Sequence, residues 1–280
     1  MNYSSICPIC QEESQLHIFK WANNDIIQCK NCELNFCGEM SEKESGGNSS
    51  PVDKKGIMMM SDMFHNTFEI AMNFSIKRKF YYENLLNRKC KNILEIGCGP
   101  GVFYKPWSRL NVHWTGIEIN PYWKTFGEEN GIPISIKPID SLKIKYDVIT
   151  AHQVLEHVED PLSFLKSIIP LLNPNGIIHF ELPNHNSFTS RLRKISPIIS
   201  SHYGFIQPPM HLRAYNKKTI KILFNSLNLQ SKLIFICGNT DKTWGQVRKY
   251  SVIQKSLYYS TNKIGMGSLL IGIAQLKSSK

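Results

Sequence analysis

The sequence predicts an α/β fold with a mainly parallel sheet, preceded by a small cysteine-built module. Three observations predict it. Two CxxC pairs, Cys7/Cys10 and Cys29/Cys32, stand near the start. Beyond them, short apolar runs of strand length alternate with helix-like runs, the pattern of β-α units. The first of these apolar runs leads directly into a glycine triplet, Gly97, Gly99 and Gly101, which suits a tight turn between a strand and a helix.

The chain has 280 residues, room for one full-sized domain and a small one. Its hydrophobic share of 42%, with 14 Phe and 11 Tyr, excludes a disordered protein. No cationic segment followed by an apolar run opens the sequence, and no stretch reaches the ~18 apolar residues of a membrane helix. A cytoplasmic chain with reduced thiols is the expectation.

Five of the eight cysteines fall early: Cys7, Cys10, Cys29, Cys32 and Cys37. Each CxxC turn points two sulfurs at one ion, and the 18 residues between the pairs fit the spacing of a zinc site. Four thiolates match the tetrahedral preference of zinc and leave no position for a reacting water, so the expected Zn2+ is structural. Cys37 stands as a spare thiol. A redox pair is the rival reading, although it needs only one CxxC. The module is assigned to residues 1–38, and the Gly-, Ser- and Lys-rich stretch 39–56 to a linker.

From 57 to 280 the second domain is expected. MMMSDMFHNTFEIAMNFSIKRKFYYENLLN has helical periodicity without Pro or Gly. KNILEIG, VHWTGIEI, ISIKPI, YDVITA and GIIHFEL read as strands. FYKPWSRL, PYWKTFGEEN and DPLSFLKSIIPLL read as the helices between them, the last two opened by Pro in the first turn. NKKTIKILFNSLNL is a helix capped by Asn216. KLIFICG and SLLIGIAQL are expected to close the sheet as an antiparallel edge pair with no long helix between them.

The net charge of +11 is unevenly spread. Residues 1–55 hold five Lys against eight acids, so the cysteine module is acidic, unlike a finger built to hold phosphates. Between Asn184 and Lys255 there are 12 Lys or Arg and one acid, Asp241.

The glycine triplet alone is weak, because a dinucleotide loop has the spacing G-x-G-x-x-G. Together, ILEIGCGPG, GIEIN, PIDSL and YDVITAHQVLEHVEDP resemble the successive motifs of class I S-adenosylmethionine-dependent methyltransferases. LLNPNGIIHFELPN resembles the segment around that family's fifth strand, and the likeness covers roughly residues 75–277. The cysteine module resembles one found ahead of bacterial small-molecule methyltransferases of this class. The resemblance implies a Rossmann-like seven-stranded sheet with an antiparallel last strand, behind a zinc-ribbon-like module.

Carried over by position, the resemblance implies that Gly97, Gly99 and Gly101 wrap the methionine part of S-adenosyl-L-methionine, with Glu95 near its amino group. Glu118 would take the ribose hydroxyls, Ile119 cover an adenine face, and Asp140 with Ser141 read the adenine. His152 and Gln153 match the lip over the sulfur, and Glu156 and His157 the face beyond it. A surface carboxylate at Glu118 and a helix cap at Asp140 are the bland alternatives.

Methyl transfer needs alignment, exclusion of water and, for some acceptors, a base. His157 is the first candidate, followed by His152 and His185. The long connection 185–215 resembles an acceptor lid, in which Arg191, Arg193, His211, Arg213 and Tyr215 would meet the acceptor. The basic charge then favours a small anionic acceptor, sugar-linked or aromatic, and the lid allows transient contact with an anionic membrane surface. The absence of an NPPY-type run after strand four argues against nucleobase substrates. RNA or protein methylation and a non-catalytic zinc scaffold stand as alternatives.

Overall fold

The computed structural model describes residues 6–38 except 14, 22 and 23, residues 54–195, residues 204–244 except 209, and residues 246–276 except 248. Most of the expected linker and the middle of the expected lid lie outside the described residues.

The cysteine module is built on β1 (Gln15–Trp21), β2 (Asn24–Cys29) and β3 (Asn35–Cys37), all antiparallel. Its two CxxC turns have the same local design. Gln11 and Glu33, one residue past each pair, adopt φ of 59° and 63°, and their amides donate back to Cys7 and Cys29 carbonyls at 3.0 and 2.9 Å. The sulfurs on each turn thereby point to the same side.

Two helices lead into the main sheet, α1 (Lys54–Asn66) and α2 (Phe68–Leu86). On α2, Ala71, Phe74, Ser75, Arg78, Tyr82 and Leu86 form the buried face at helical spacing. There follow β4 (Asn92–Ile96), α3 (Tyr104–Arg109), β5 (His113–Ile117), α4 (Pro121–Asn130), β6 (Ile134–Ser135), β7 (Tyr146–His152), α5 (Pro161–Ile168) and β8 (Leu172–Pro183). Asn120 caps α4 through the Tyr122 amide, and Asp160 caps α5 through the Ser163 amide. Then come α6 (Phe188–Ile195), β9 (Arg213–Ala214), α7 (Lys217–Ser226), β10 (Leu229–Cys237), α8 (Val252–Lys263) and β11 (Leu269–Leu276).

The seven-stranded sheet has the order β10-β11-β8-β7-β4-β5-β6. β4 to β8 run parallel, and β11 pairs antiparallel with both β8 and β10. The last two strands form the expected antiparallel pair at the edge of the sheet. The last strand is inserted inside the sheet, and β10 is the edge. A helix, α8, fills the connection that was expected to lack one. Ser251 and Gln254 start it with a reciprocal capping box. Its apolar residues Val252, Ile253, Leu257 and Tyr259 are exposed, so it lacks the core-facing stripe by which a helix is read. Pro138 follows β6 closely, and only two of the residues expected in that strand pair.

A second sheet, β1-β2-β3-β9, joins the two regions. β9 comes from the end of the expected lid, and pairs Phe36 with Arg213 and Asn35 with Ala214. Among the described residues, the core of the cysteine module is shared with the sheet domain. Ile9, Ile27, Leu34 and Phe36 pack in one apolar cluster with Tyr215, Ile220 and Phe224 of the sheet domain. Trimming fully buried Leu34 to Ala should lower the stability of the whole chain by about 2–5 kcal/mol in a single transition. Calorimetry of the variant checks this, and two separated transitions would contradict a shared core.

Candidate active site

Strand order reverses around β4, which has β5 on one side and β7 on the other. In open α/β sheets this switch point opens a crevice beyond the strands' carboxyl ends. The glycine loop stands there. Gly97 has φ of 68°, and a Cβ on it would lie 2.5 Å from Val154 Cγ2, so the loop and the segment after β7 meet where only glycine fits. The Gly99 amide donates to Glu118 Oε2 at 2.9 Å, while Glu118 Oε1 accepts from the Ile119 and Asn120 amides at 2.8 and 3.2 Å. One half-buried carboxylate at the tip of β5 thus fixes both loops. Ile119 beside it is exposed, as are Asp140 and Ser141 on the turn after β6.

Beneath the loop lies a buried polar network. Glu95 accepts from Trp114 Nε1 at 2.7 Å, and its other oxygen is 3.8 Å from His152 Nδ1. Burial pushes the Glu95 carboxyl up to about 7 despite the Trp114 hydrogen bond, and holds His152 neutral, down to about 3. His152 Nε2 is 3.8 Å from Glu181 Oε1, which pairs with Arg78 Nη2 at 2.7 Å. Tyr82 Oη and His179 Nδ1 share a hydrogen bond at 2.6 Å, and His179 Nε2 lies 3.3 Å from Glu181 Oε1. Sequence reasoning missed Arg78, Tyr82, His179 and Glu181. The available signal was a charge on the buried face of α2, since Arg78 falls four residues from both Phe74 and Tyr82.

After β7 the chain makes a single 3-10 turn, Leu155–His157. Glu156 is 1% exposed, and among the described residues neither carboxylate oxygen has a partner on another residue. Burial pushes its carboxyl up to about 8, with only its own amide in opposition. His157 Nδ1 donates to the Met210 carbonyl at 2.7 Å, and burial lowers its pKa. His211 Nδ1 donates to the Phe205 carbonyl at 2.9 Å. The two imidazoles meet edge to face at 4.7 Å between centroids. One ligating atom from each of Glu156, His157 and His211 lies within 4.8 Å of the others.

The remaining expected residues are dispersed. His185 is 1% exposed, its ring against Gly204 and Ser190, and burial holds its pKa well below the usual imidazole value. It is not in the group that Glu156, His157 and His211 form. Tyr215 is fully buried and donates its hydroxyl to the Leu155 carbonyl at 3.0 Å. Arg213 donates to the carbonyls of Cys37, Leu212 and Glu159 at 3.2, 3.0 and 2.9 Å, over the Phe36 ring. Both were expected at the acceptor. The structure corrects this: their polar atoms face backbone, and they hold β9 against its neighbours. Arg191 and Arg193 lie on α6, with Arg191 exposed and Arg193 over the Phe205 ring. Lys194, next to them, is lowered to about 8 by burial and by Arg191.

At the far side of β9, the four early thiols converge. Cys7 Sγ lies 3.4 Å from Cys32 Sγ, and Cys10 Sγ 3.4 Å from Cys29 Sγ. These separations exceed an S–S bond and are somewhat shorter than the ~3.8 Å edge of a tetrahedral site with Zn–S bonds of about 2.3 Å, so an ion would spread the thiols slightly. Cys37 points elsewhere, into a small apolar group with Ile26, Ile206 and Ala214.

A family model described as a methyltransferase domain matches residues 73–231, more than half of the chain. This chain belongs to the class I S-adenosylmethionine-dependent methyltransferases. Among curated relatives, the ubiquinone biosynthesis O-methyltransferase of Actinobacillus pleuropneumoniae serotype 5b (strain L20) is 32% identical over 108 residues, 34% of this chain and 46% of the relative. That of Methylobacterium sp. (strain 4-46) is 33% identical over 94 residues, 30% of this chain and 38% of the relative. The chain thus spans less than half the length of these relatives. Of solved structures, the plantazolicin methyltransferase BpumL in complex with SAH superposes with a TM-score of 0.56 at 17% identity, covering 83% of this chain and 94% of the other. A SAM-dependent methyltransferase from Archaeoglobus fulgidus gives 0.50 at 18% identity, covering 78% and 98%. These likenesses establish the fold.

The Glu95 carboxyl, raised by burial, makes a prediction. A folded-state pKa above the unfolded value of 4.5 means that the folded chain holds this proton more tightly. Its stabilising contribution is present below pH 4.5 and is lost as pH rises to about 7. Glu95→Gln should therefore lose less stability than the parent between pH 4.5 and 7, read from urea denaturation at both pH values. An equal loss in both proteins would show that Glu95 does not titrate in this range.

Proposed function

We propose that the chain transfers a methyl group from S-adenosylmethionine to a small, anionic acceptor, sugar-linked or aromatic. The observation that carries the cofactor half of this reading is the Glu118–Gly99 contact at the β4 switch point. It sets an acidic strand tip against a glycine loop whose amides can approach a ligand closely. When bound, S-adenosylmethionine supplies an electrophilic methyl on a sulfonium. Gly97, Gly99 and Gly101 would hold its methionine part and Glu118 its ribose. Ile119, Asp140 and Ser141 would lie along its adenine, with buried Glu95 and His152 beneath.

Two observations support the acceptor half. The neutral imidazole of His157 stands in the turn directly after β7, paired with His211 from the end of the lid segment. We assign this pair to the acceptor's reacting group. The α6 cations Arg191, Arg193 and Lys194 follow β8's carboxyl end, and would attract a phosphate or carboxylate on the same ligand. The likeness to ubiquinone biosynthesis O-methyltransferases supports an O-methyl product. A membrane surface offering a lipid acceptor would meet the same cations.

We also propose that Cys7, Cys10, Cys29 and Cys32 hold a structural Zn2+. All four thiols are within reach of one ion, and burial of the cluster favours a cation that neutralises its thiolates. The ion would supply folding energy to the module and take no part in transfer. No helix among the described residues is long and apolar enough to cross a membrane.

Calorimetric titration with S-adenosylmethionine tests the reading. The parent should bind, and Gly97→Ala and Glu118→Ala should each weaken binding by about tenfold or more, through the Val154 clash and the released loop. A parent that binds neither S-adenosylmethionine nor its demethylated product would overturn the proposal. A methyl-transfer screen over phenolic acids and nucleotide sugars then identifies the acceptor.

A further inference from the structure

Two helices on the active-site edge of the sheet carry apolar residues that stay exposed. β10 runs parallel to β8, so its carboxyl end lies on the same edge as those of β4 to β8. The connection from β10 to β11, which holds α8, leaves from that edge, as does the connection from β8 that holds α6. The two are bonded where they meet. The Phe188 amide, opening α6, donates to the Met266 carbonyl just beyond α8 at 3.1 Å, and the Asn184 amide donates to the Ser268 carbonyl at 2.9 Å. α8 rests on the body by one narrow side, with Thr261 buried and Tyr258 and Asn262 half-buried beside it.

At about 100° per residue, Ile253, Leu257 and the capping Ile264 fall within about 40° of one another on α8. All three are exposed, Ile253 by 81%. On α6, Phe188, Leu192 and Ile195 fall within about 60°, and all three are exposed, Ile195 by 80%. A stripe at this spacing is the face that a helix normally turns to the core. Here both stripes face outward, and a patch of that kind marks a contact surface. Cations flank them. Arg191 on α6 is exposed, as are Lys249, Lys255 and Lys263 on and before α8. The sequence from Lys242 to Lys263 has five Lys or Arg and no acid. Lys263 Nζ rests 4.6 Å from the centre of the Tyr259 ring, an aromatic and a cation of the kind that suits a boundary between water and lipid.

We propose that α8, with α6 beside it, docks the protein on an anionic membrane surface. The helices lie in the plane of the surface, with their Ile and Leu stripes at the acyl boundary and their cations among the headgroups. Charge and side-chain type select this occupant. A second copy of the chain would set one cationic face against another. A nucleic acid would take the cations, but it is held by phosphate contacts and aromatic stacking and leaves aliphatic stripes in water. An anionic bilayer uses both features at once. Docking by this face keeps the carboxyl edge of the sheet, where the glycine loop stands, close to the bilayer. The use of that surface as the source of an amphiphilic acceptor rests on the methyltransferase reading, whereas the docking itself does not.

The test is co-sedimentation of the full chain with vesicles of phosphatidylcholine alone, and of phosphatidylcholine with phosphatidylglycerol at about 3:1. The parent should bind the anionic vesicles at least about tenfold more tightly, and less so as salt rises. Ile253→Ser with Leu257→Ser, and Lys255→Glu with Lys263→Glu, should each weaken that binding by more than about tenfold. The thermal transition should not move, because these side chains are exposed. Lys89→Glu with Lys143→Glu makes the same change of charge at exposed positions ahead of β4 and β7, on the opposite edge of the sheet, and should bind as the parent does. No binding of anionic vesicles by the parent, an equal loss in the two charge-reversed pairs, or no loss in the Ile253 and Leu257 variant would each overturn the docking face. A parent that binds single-stranded RNA but no vesicle would assign the cations to nucleic acid and overturn it too. Cofactor calorimetry on the same samples is independent. A parent that binds vesicles but not S-adenosylmethionine keeps the docking face and loses the methyltransferase reading.

Discussion

Backbone hydrogen bonds across β9 couple the cysteine module to the acceptor side of the sheet. The Cys37 amide donates to the Leu212 carbonyl at 3.0 Å, and the Leu212 amide donates in turn to the Glu156 carbonyl at 2.8 Å. A single residue is thus held between the module's last strand and the turn after β7. Around this line, Arg213 spans the Cys37 and Glu159 carbonyls. Thr219 Oγ1 donates to the Cys32 carbonyl at 2.8 Å, and Asn216 and Lys218 bind the Glu33 carboxylate. Each bond alone is worth roughly a kcal/mol net. Together with the shared apolar cluster they leave little freedom for the module to move without dragging His211 and Glu156 along.

This arrangement explains why residues that look like ligand-binding groups are not at the ligand. Arg213 and Tyr215 stand in a stretch that resembles an acceptor lid, but β9 turns their side chains toward backbone carbonyls. They act one step back, as the supports of the His211 segment. The thiol cluster stands further back again. With the proposed Zn2+ bound, Cys7, Cys10, Cys29 and Cys32 would fix β3, while β3 pairs with β9 and β9 borders the face on which His157 and His211 meet. An enzyme that must align an acceptor with a methyl group gains from such pre-organisation, because small displacements of the reacting groups are costly.

What the sequence disclosed follows from the range of the interactions. Gly97, Gly99, Gly101 and Glu118 were legible because their constraints are local: a turn that only glycine makes, and an acid at the tip of the next strand. The helix caps at Asn120, Asp160 and Asn216 were legible or nearly so for the same reason. The pairing of β3 with β9 was not, since it joins residues about 180 positions apart and involves two residues on each side. The network of Arg78, Tyr82, His179 and Glu181 was hidden likewise, because each partner looks ordinary in its own element. α8 was passed over because its apolar residues face outward. His157 and His211 were each visible as histidines in suggestive runs. Their convergence with Glu156, whose carboxylate has no partner among the other described residues, needed the fold.

The central claim is that the thiol cluster, through β3 and β9, holds the acceptor face in place. Hydrogen exchange of the full chain, with and without a chelator that strips the thiols, tests it most directly. The account predicts that the amides of Cys37, Leu212 and the His211 segment lose protection together, while the Gly97–Gly101 loop, held by Glu118, keeps its own. Loss of protection confined to residues 7–37, with Leu212 still protected, would contradict it.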